Sequence, residues 1–189
     1  MTTIIFLHGA GAGAYDEDAR MVAGLARHLG DDDTIDYPRL PEEDGGDDQA
    51  WHRVIGHALE RAHAPVYLVA HSAGGYVAVK HLATHPVAVD VAGLFLIAAP
   101  FPGGDPDWTF PGFELPEGFG RALPAGMPVY LYAAEDDEVV PFAHRDLYAA
   151  AIPGAVVRTV TGGHQLGDDL AAVAADIRAL AESRSRLAR

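Results

Sequence analysis

A serine in a predicted sharp turn between a strand and a helix is the strongest chemical signal in the sequence. Residues 70–74 read AHSAG, directly after the apolar run 66–69 and at the start of a helical pattern. A serine in such a turn exposes its hydroxyl above the end of a sheet, and the strand and helix approach so closely that small residues are needed on both sides. Ala70 stands where the common G-x-S-x-G pattern has its first glycine, and alanine is small enough to fit. We therefore predict that Ser72 is a nucleophile.

A serine nucleophile needs a base and a third group that orients the base. Four acids at 135–138 follow the apolar run 129–133, and His164 follows the run 155–160. Serine, acid and histidine in this order, each after a strand, form one of the known orders of a catalytic triad. We predict that His164 takes and returns the proton of Ser72, while Asp137 fixes the histidine tautomer. Asp136 is the alternative acid.

Attack on a carbonyl creates an oxyanion, which needs two preorganised N–H donors. We expect one from the backbone of Ala73, next to the nucleophile. The second is expected from the glycine-rich run 8–13, HGAGAG, where we favour Ala10. Glycines let this backbone approach a substrate closely. The residues that we predict to contact the substrate here are Gly9, Gly11 and His71.

The same glycine-rich run has an alternative interpretation as a nucleotide-binding loop. It lacks the Gly-Lys-Ser/Thr ending of a P-loop, which excludes that motif. A dinucleotide loop needs G-x-G-x-x-G. Gly9 and Gly11 are present, position 14 is an alanine that this motif tolerates, and residues 31–33 offer the expected acid. The ordered serine, acid and histidine have no role in this alternative, so we favour nucleophilic catalysis.

The remaining histidines are predicted to be structural. His81 and His85 are four residues apart on a helix, a spacing that suits a metal ion. No acidic or third ligand is evident near them in the sequence. We therefore predict no metal site and no cofactor. His52, His57 and His63 are expected on the helix surface.

Short apolar runs alternate with helical patterns along the chain. Runs that are apolar throughout predict strands buried on both faces, and their alternation with helices predicts a mostly parallel sheet covered on both sides. We expect an α/β sandwich of three layers with a six-stranded sheet. The predicted strands are 4–7, 34–37, 66–70, 91–98, 129–133 and 155–160. The predicted helices are 18–29, 48–62, 73–83, 141–151 and 168–180, the last with Asp168 as its N-cap.

Residues 101–126 interrupt this alternation. They combine many prolines and glycines with Trp108, Phe110, Phe113 and Phe119. A long irregular stretch in a compact domain is usually a functional loop or lid. We predict a lid whose Trp108, Phe110 and Phe113 contact the substrate. The alternative is a loop that its own aromatic residues pin to a hydrophobic edge.

Composition limits the remaining possibilities. The 189 residues favour one domain over 1–189. With 13 basic and 27 acidic residues, the net charge of −14 repels phosphate backbones and anionic lipid surfaces, so we expect no nucleic-acid or membrane partner. The absence of cysteine excludes disulfides, thiolate metal sites and a cysteine nucleophile. No targeting segment is evident, so we expect a cytoplasmic protein that is a monomer or a weak homodimer.

These motifs resemble those of the α/β-hydrolase superfamily, and more closely those of small serine hydrolases similar to retinoblastoma-binding protein 9 and YdeN. Residues 37–41, YPRLP, followed by Trp51, are similar to that family's Pro-x-Leu-Pro and Trp stretch. Residues 96–101, LIAAPF, resemble its strand after the nucleophile helix. Residues 137–141, DEVVP, resemble its acid motif and support Asp137. The resemblance implies a minimal α/β-hydrolase fold without a cap domain and with strand order 2-1-3-4-5-6.

The sequence therefore predicts a cofactor-independent serine hydrolase, of the esterase type, that acts on a small carboxylic ester, thioester or amide through an acyl-enzyme. Its partner is a small acyl substrate. The alternative is a partner-binding protein on a hydrolase scaffold, with residues 101–126 as its contact surface. A third possibility keeps the triad for a lyase or acyltransferase reaction. The family's L-x-C-x-E motif is absent because the chain has no cysteine, so binding to a retinoblastoma-type protein is not implied.

Overall fold

The computed structural model describes residues 2–41, 48–63, 65–109 and 111–187. Six strands alternate with helices, as predicted. The strands are β1 Thr3–Leu7, β2 Thr34–Asp36, β3 Val66–His71, β4 Val91–Ile97, β5 Val129–Ala134 and β6 Val156–Val160. The helices are α1 Ala14–Arg27, α2 Asp48–Arg61, α3 Ser72–Thr84, α4 Phe119–Ala122, α5 Ala143–Ala151 and α6 Ala171–Leu187, with 3₁₀ turns at Pro106–Trp108 and Leu166–Asp168.

All strand pairs are parallel, and the sheet order is β2-β1-β3-β4-β5-β6. This confirms the predicted order. The order places β1 and β3 side by side, in register from Thr3 opposite Val66 to Leu7 opposite Ala70. Because the strands are parallel, the loops that follow them lie at the same edge of the sheet, which is where open α/β folds place their sites.

The predicted three layers are confirmed by two separate cores, one on each face of the sheet. Alternate residues of the central strands contribute to opposite cores, as the two-residue period of a strand requires. One core packs α2, α3 and α5 on the face that carries Leu68 and Leu96. The other packs α1 and α6 on the face that carries Val69 and Phe95. The continuous apolar strands of the sequence are explained by this double burial.

Two helix starts differ from the prediction by more than two residues. Helix α1 begins at Ala14, four residues before the predicted start, so Asp18 lies inside the helix. Helix α6 begins at Ala171, and Asp168 is not its N-cap. The Asp168 backbone is left-handed, with φ 57°, in a turn that packs its carbonyl against Gly24 of α1. Asp169 takes over part of the capping role because its Oδ1 accepts the Ala171 N–H at 3.2 Å.

Within the residues described above, no helix is both long enough and apolar enough to cross a membrane.

The packing of α6 against the sheet gives a direct test of the fold. Ile177 is fully buried, whereas Leu187 on the same helix is 86% exposed. Truncating Ile177 to alanine leaves a cavity beneath the sheet, and we expect a loss of about 2–5 kcal/mol in the free energy of unfolding. Leu187→Ala is the matched control and is expected to change it by less than about 0.5 kcal/mol. Denaturant unfolding of both variants measures the difference, and equal losses would contradict the packing of α6.

Candidate active site

Ser72, the predicted nucleophile, lies at the junction of β3 and α3 in a left-handed conformation. Its φ is 50°, whereas His71 before it is extended with φ −102° and ψ 139°. Such a conformation costs a non-glycine residue about 1–3 kcal/mol, and it persists only where the surrounding structure imposes it, often at functional sites. The strand-to-helix turn predicted from the sequence is therefore present, with the backbone strain that a sharp turn implies.

Glycines allow α3 to cross the end of β1 directly after this turn. A Cβ on Gly74 would lie 2.3 Å from the carbonyl oxygen of His8, and a Cβ on Gly75 would lie 2.8 Å from the Cβ of Ala99. Neither approach is possible for a residue with a side chain. Ala70 is fully buried at the end of β3, so its methyl group is accommodated where the common pattern has glycine.

The loop after β1 lies beside the nucleophile. A Cβ on Gly9 would lie only 3.6 Å from the Oγ of Ser72. His8 is fully buried and holds this loop through both ring nitrogens. Its Nδ1–H donates to the carbonyl oxygen of Gly9 at 2.7 Å, and its Nε2 accepts the N–H of Leu40 at 2.8 Å. This pattern requires the neutral ring with its proton on Nδ1.

The two alanines predicted to supply the oxyanion hole lie on either side of this approach. Ala10 follows Gly9 directly and is exposed, as is Gly11, whose φ is 120°. Ala73 is the second residue of α3, and the first N–H groups of a helix have no partner within the helix. Both predicted donors thus belong to segments that meet at Ser72. Their role in binding an oxyanion stays a prediction.

Asp137 and His164 form a hydrogen-bonded pair. The Nδ1 of His164 lies 2.9 Å from Oδ2 of Asp137, whose side chain is 1% exposed. The other oxygen, Oδ1, accepts the N–H groups of Val139 at 2.8 Å and Val140 at 2.9 Å. Burial raises the pKa of Asp137, but the hydrogen bonds from His164 and these two N–H groups outweigh burial and hold the pKa below its usual value. The carboxylate is therefore charged and fixed in place.

The alternative acid, Asp136, has a different environment. It is exposed, and its Oδ2 accepts the N–H of Gly162 at 3.3 Å. Asp136 thus contacts the backbone of the loop that carries the histidine, whereas Asp137 contacts the ring of His164 itself. In the described part of the chain no hydrogen bond joins Ser72 to His164. Of the two contacts that the predicted triad needs, the structure therefore contains the one between Asp137 and His164.

A buried pair that the sequence analysis missed lies beneath these residues. Asp18 of α1 is 3% exposed, and its Oδ2 lies 2.7 Å from Nδ1 of His71. The same oxygen accepts the N–H of Gly9 at 2.9 Å. The other nitrogen of His71, Nε2, lies 3.1 Å from the carbonyl oxygen of His164, and the two imidazole rings are 4.6 Å apart. Asp18 and His71 therefore connect the loop after β1, the Ser72 turn and the loop that carries His164.

The carboxylate of this pair is held in its charged form. Both nitrogens of His71 face oxygen atoms, one of Asp18 and one of the His164 backbone. Burial raises the pKa of Asp18, but the hydrogen bond and charge of His71 and the N–H of Gly9 outweigh it, so its pKa lies below the usual value. The sequence contained a sign that Asp18 is buried, because Asp18 lies on the same helical face as the apolar Met21 and Leu25. A carboxylate in a buried stripe needs a partner.

The segment 101–126 is anchored to α3 and α5. The ring of Phe113, which is 8% exposed, lies 4.4 Å from that of Tyr76, and the Tyr76 hydroxyl accepts the N–H of Glu114 at 3.2 Å. Buried His144 accepts the N–H of Phe101 and contacts Asp105 at 2.9 Å. These contacts agree with the alternative of a pinned loop.

The three aromatic residues of this segment that were predicted to contact the substrate have different environments. Trp108 is half-buried against Phe113 and His144, Phe113 belongs to the core, and Phe110 lies outside the described residues. A contact between any of them and the substrate, and movement of the segment as a lid, stay predictions.

One prediction about the other histidines is wrong. His52 was expected on the helix surface, but it is 4% exposed and lies against His81 and His85, with ring separations of 5.4 and 4.7 Å. The error arises because His52 is on α2, whereas His81 is on α3 and His85 directly follows α3. Only the packing of the two helices brings them together. His57 and His63 are exposed, as predicted.

The Asp18–His71 pair gives a test of how the candidate site is held together. Asp18→Asn removes the buried carboxylate that binds Nδ1 of His71 and the N–H of Gly9. Removing one partner of a buried pair of this kind typically costs about 3–5 kcal/mol in the free energy of unfolding. Asp16→Asn is the matched control, because Asp16 is two residues away and its side chain is 80% exposed. We expect the control to change stability by less than about 0.5 kcal/mol. Equal effects in urea unfolding would show that the buried pair does not hold these loops.

The comparisons with solved structures agree with the fold. The chain is similar to the ydeN gene product of B. subtilis, with 20% identity, a TM-score of 0.69 and coverage of 96% of this chain and 100% of that one. It is also similar to the esterase domain of a Rhodothermus marinus protein, with 18% identity, a TM-score of 0.69 and coverage of 95% and 85%. Est1E from Butyrivibrio proteoclasticus, solved with ferulic acid bound, has 14% identity, a TM-score of 0.66 and coverage of 100% and 90%. At these identities the likeness establishes the α/β-hydrolase fold.

No curated protein matches the sequence significantly. The family model described as serine hydrolase matches residues 24–169. This range contains Ser72, Asp137 and His164 and spans most of the chain. The chain therefore belongs to the serine hydrolase family, within the α/β-hydrolase superfamily.

Proposed function

We propose that this serine hydrolase cleaves a small carboxylic ester, with a thioester or amide as the related alternatives, through an acyl-enzyme on Ser72. The observation that carries the proposal is the bond between buried Asp137 and His164 at the sheet edge where Ser72 occupies its strained turn. A fixed carboxylate on one imidazole nitrogen is the arrangement that a histidine needs to act as a base through the other nitrogen.

In the proposed mechanism, the Oγ of Ser72 attacks the carbonyl carbon while Nε2 of His164 takes the hydroxyl proton. Asp137 keeps the other proton on Nδ1 and stabilises the imidazolium that forms. The N–H groups of Ala10 and Ala73 donate to the oxyanion. When the C–O bond breaks, His164 gives its proton to the leaving alkoxide, which departs as the alcohol. Water, deprotonated by His164, then cleaves the acyl-enzyme, and Ser72 regains its proton.

The surroundings of Ser72 support a small acyl group. The loop beside the nucleophile consists of Gly9, Ala10 and Gly11, which provide no large apolar wall. Among the described aromatic residues of 101–126, Trp108, Phe113 and Phe119 pack instead in the core on α3 and α5. A short ester such as p-nitrophenyl acetate is therefore the first substrate to test.

The partner-binding alternative has less support. It relied on the aromatic residues of 101–126 as a contact surface, and the described residues of that segment include no large exposed hydrophobic side chain. A protein that only binds a partner also has no need for a carboxylate–histidine bond next to a strained serine.

Covalent labelling tests the nucleophile. A fluorophosphonate probe is expected to label the protein at Ser72, and Ser72→Ala is expected to remove the label and lower the kcat/KM for p-nitrophenyl acetate by about 10³-fold or more. Mass spectrometry of the labelled peptide identifies the site, and circular dichroism checks that the variant is folded. Labelling that persists at full stoichiometry in Ser72→Ala would contradict the assignment.

The two neighbouring acids provide a matched pair of variants. Asp137→Asn is expected to lower kcat by about 10⁴-fold, because asparagine favours the wrong histidine tautomer. Asp136→Asn is expected to change kcat less than about threefold, since this exposed side chain contacts only the N–H of Gly162. Steady-state kinetics on the same ester compares them. A larger loss in Asp136→Asn would assign the acid role to Asp136.

A further inference from the structure

Three histidines meet at the opposite end of α3 from Ser72. His52 comes from α2, His81 from the last turn of α3, and His85 from the residue that follows that helix. One ring nitrogen from each lies within 4.8 Å of the other two. His81 is nine residues after Ser72, which corresponds to about 13 Å along the helix axis. The cluster is therefore separate from the candidate active site, and the proposed reaction does not use it.

The separation of two of these nitrogens suits a tetrahedral ion. A Zn²⁺ ion binds histidine nitrogens at about 2.0–2.1 Å, so two nitrogens on a tetrahedral ion are about 3.4 Å apart. Nδ1 of His52 and Nδ1 of His81 are 3.3 Å apart. Two such nitrogens facing each other share at most one proton, whereas an ion between them uses the lone pairs of both. The spacing of four residues between His81 and His85 puts the third ring on the same side of α3.

The third histidine is stacked on His81, with the two rings 4.6 Å apart and nearly parallel. This partly exposed ring must therefore turn to direct a nitrogen at the ion, and a hydrogen bond decides which nitrogen is available. Nδ1 of His85 lies 2.9 Å from the hydroxyl of Thr84, which leaves Nε2 as the nitrogen for a metal. A hydrogen bond on the nitrogen that does not bind metal is the usual way in which a protein orients a histidine ligand. Thr84 is itself tied to α3 because its hydroxyl donates to the carbonyl oxygen of Lys80 at 2.7 Å. The hydrogen bond between Thr84 and His85 therefore supports the three histidines as a set of metal ligands.

Two of the three rings are buried between α2 and α3, since His52 and His81 are each 4% exposed.

A cavity of about 660 Å³ opens beside the three rings. His52, His81 and His85 line it together with Gly56, Leu59 and Val87. Three histidine ligands with one open position facing a cavity resemble the coordination of zinc sites that keep a water or substrate as the fourth ligand. Hard ions such as Mg²⁺ and Ca²⁺ prefer oxygen ligands, which this set does not supply.

We propose that His52, His81 and His85 bind one Zn²⁺ ion, with its fourth position open to this cavity. The ion would connect α2 to the end of α3, so its binding stabilises the fold without entering the proposed hydrolytic reaction. The proposal is independent of the catalytic role of Ser72, Asp137 and His164.

Calorimetric titration of the chelator-treated protein with ZnCl₂ tests the proposal. We expect one ion per chain, a rise in melting temperature with Zn²⁺, and no comparable effect of MgCl₂. His85→Gln is expected to weaken Zn²⁺ binding more than about tenfold, since loss of even an outer-shell partner costs this much. His63→Gln, which changes an exposed histidine just after α2, is the matched control and is expected to bind like the unchanged protein. Equal binding by His85→Gln and the unchanged protein would overturn the proposal.

Cobalt provides a second measurement that does not depend on a variant's stability. Co²⁺ in a four-coordinate site of nitrogen ligands absorbs strongly in the visible range, whereas octahedral Co²⁺ absorbs weakly. We expect the intact protein to give the strong spectrum with one equivalent of CoCl₂, and Zn²⁺ to displace it. A weak spectrum, or one unchanged by Zn²⁺, would overturn the proposed geometry. Ester hydrolysis by His85→Gln should match that of the unchanged protein, which separates the failure of this proposal from failure of the proposed function.

Discussion

The first turn of α3 crosses the end of β1 at a distance that only a residue without a side chain allows. Gly74 faces the carbonyl oxygen of His8, and a Cβ there would lie 2.3 Å from it. This one contact fixes two features of the site. It forces the chain to turn sharply at Ser72, whose left-handed backbone is the local consequence. It also brings Gly9 against the side chain of Ser72, so that the loop after β1 and the start of α3 lie beside one hydroxyl.

A close approach of this kind needs an opposing attraction, and the pair of Asp18 and His71 supplies it. Their bond joins α1 to the last residue of β3, and the second bond of Asp18, from the N–H of Gly9, holds the loop after β1. His71 extends the connection to the carbonyl oxygen of His164. Burying a polar pair is costly unless its hydrogen bonds are satisfied. Here each partner has at least two bonds, so the pair can stabilise the arrangement of the three segments that it joins.

The parts of this structure that follow local rules were predictable from the sequence. The alternation of continuous apolar strands with helices predicted the three layers of the fold. Together with the family resemblance, it also predicted the order of the strands in the sheet. The serine turn followed from small residues at fixed spacing, and the choice of Asp137 as the partner of His164 agrees with the observed bond.

The parts that depend on contacts between distant segments were not predictable. Asp18 acquires its role only when α1 packs beside β3, and His52 meets His81 only when α2 packs on α3. The error at Asp168 has a similar origin. Its turn follows from packing against Gly24, more than a hundred residues earlier in the sequence, and this contact overrides the usual preference of an aspartate for a helix N-cap.

The charge around the site constrains what the proposed hydrolase accepts. Glu135, Asp136 and Glu138 are exposed beside the buried Asp137, on a chain whose net charge is −14. A field of this sign lowers the local concentration of anions. In the proposed mechanism the oxyanion is instead stabilised at short range, by N–H groups and by the start of α3, where the helix dipole is positive. A neutral substrate avoids the repulsion during approach and meets the favourable field only as negative charge forms on its carbonyl oxygen. The charges thus favour an uncharged ester over a thioester whose thiol portion carries phosphates.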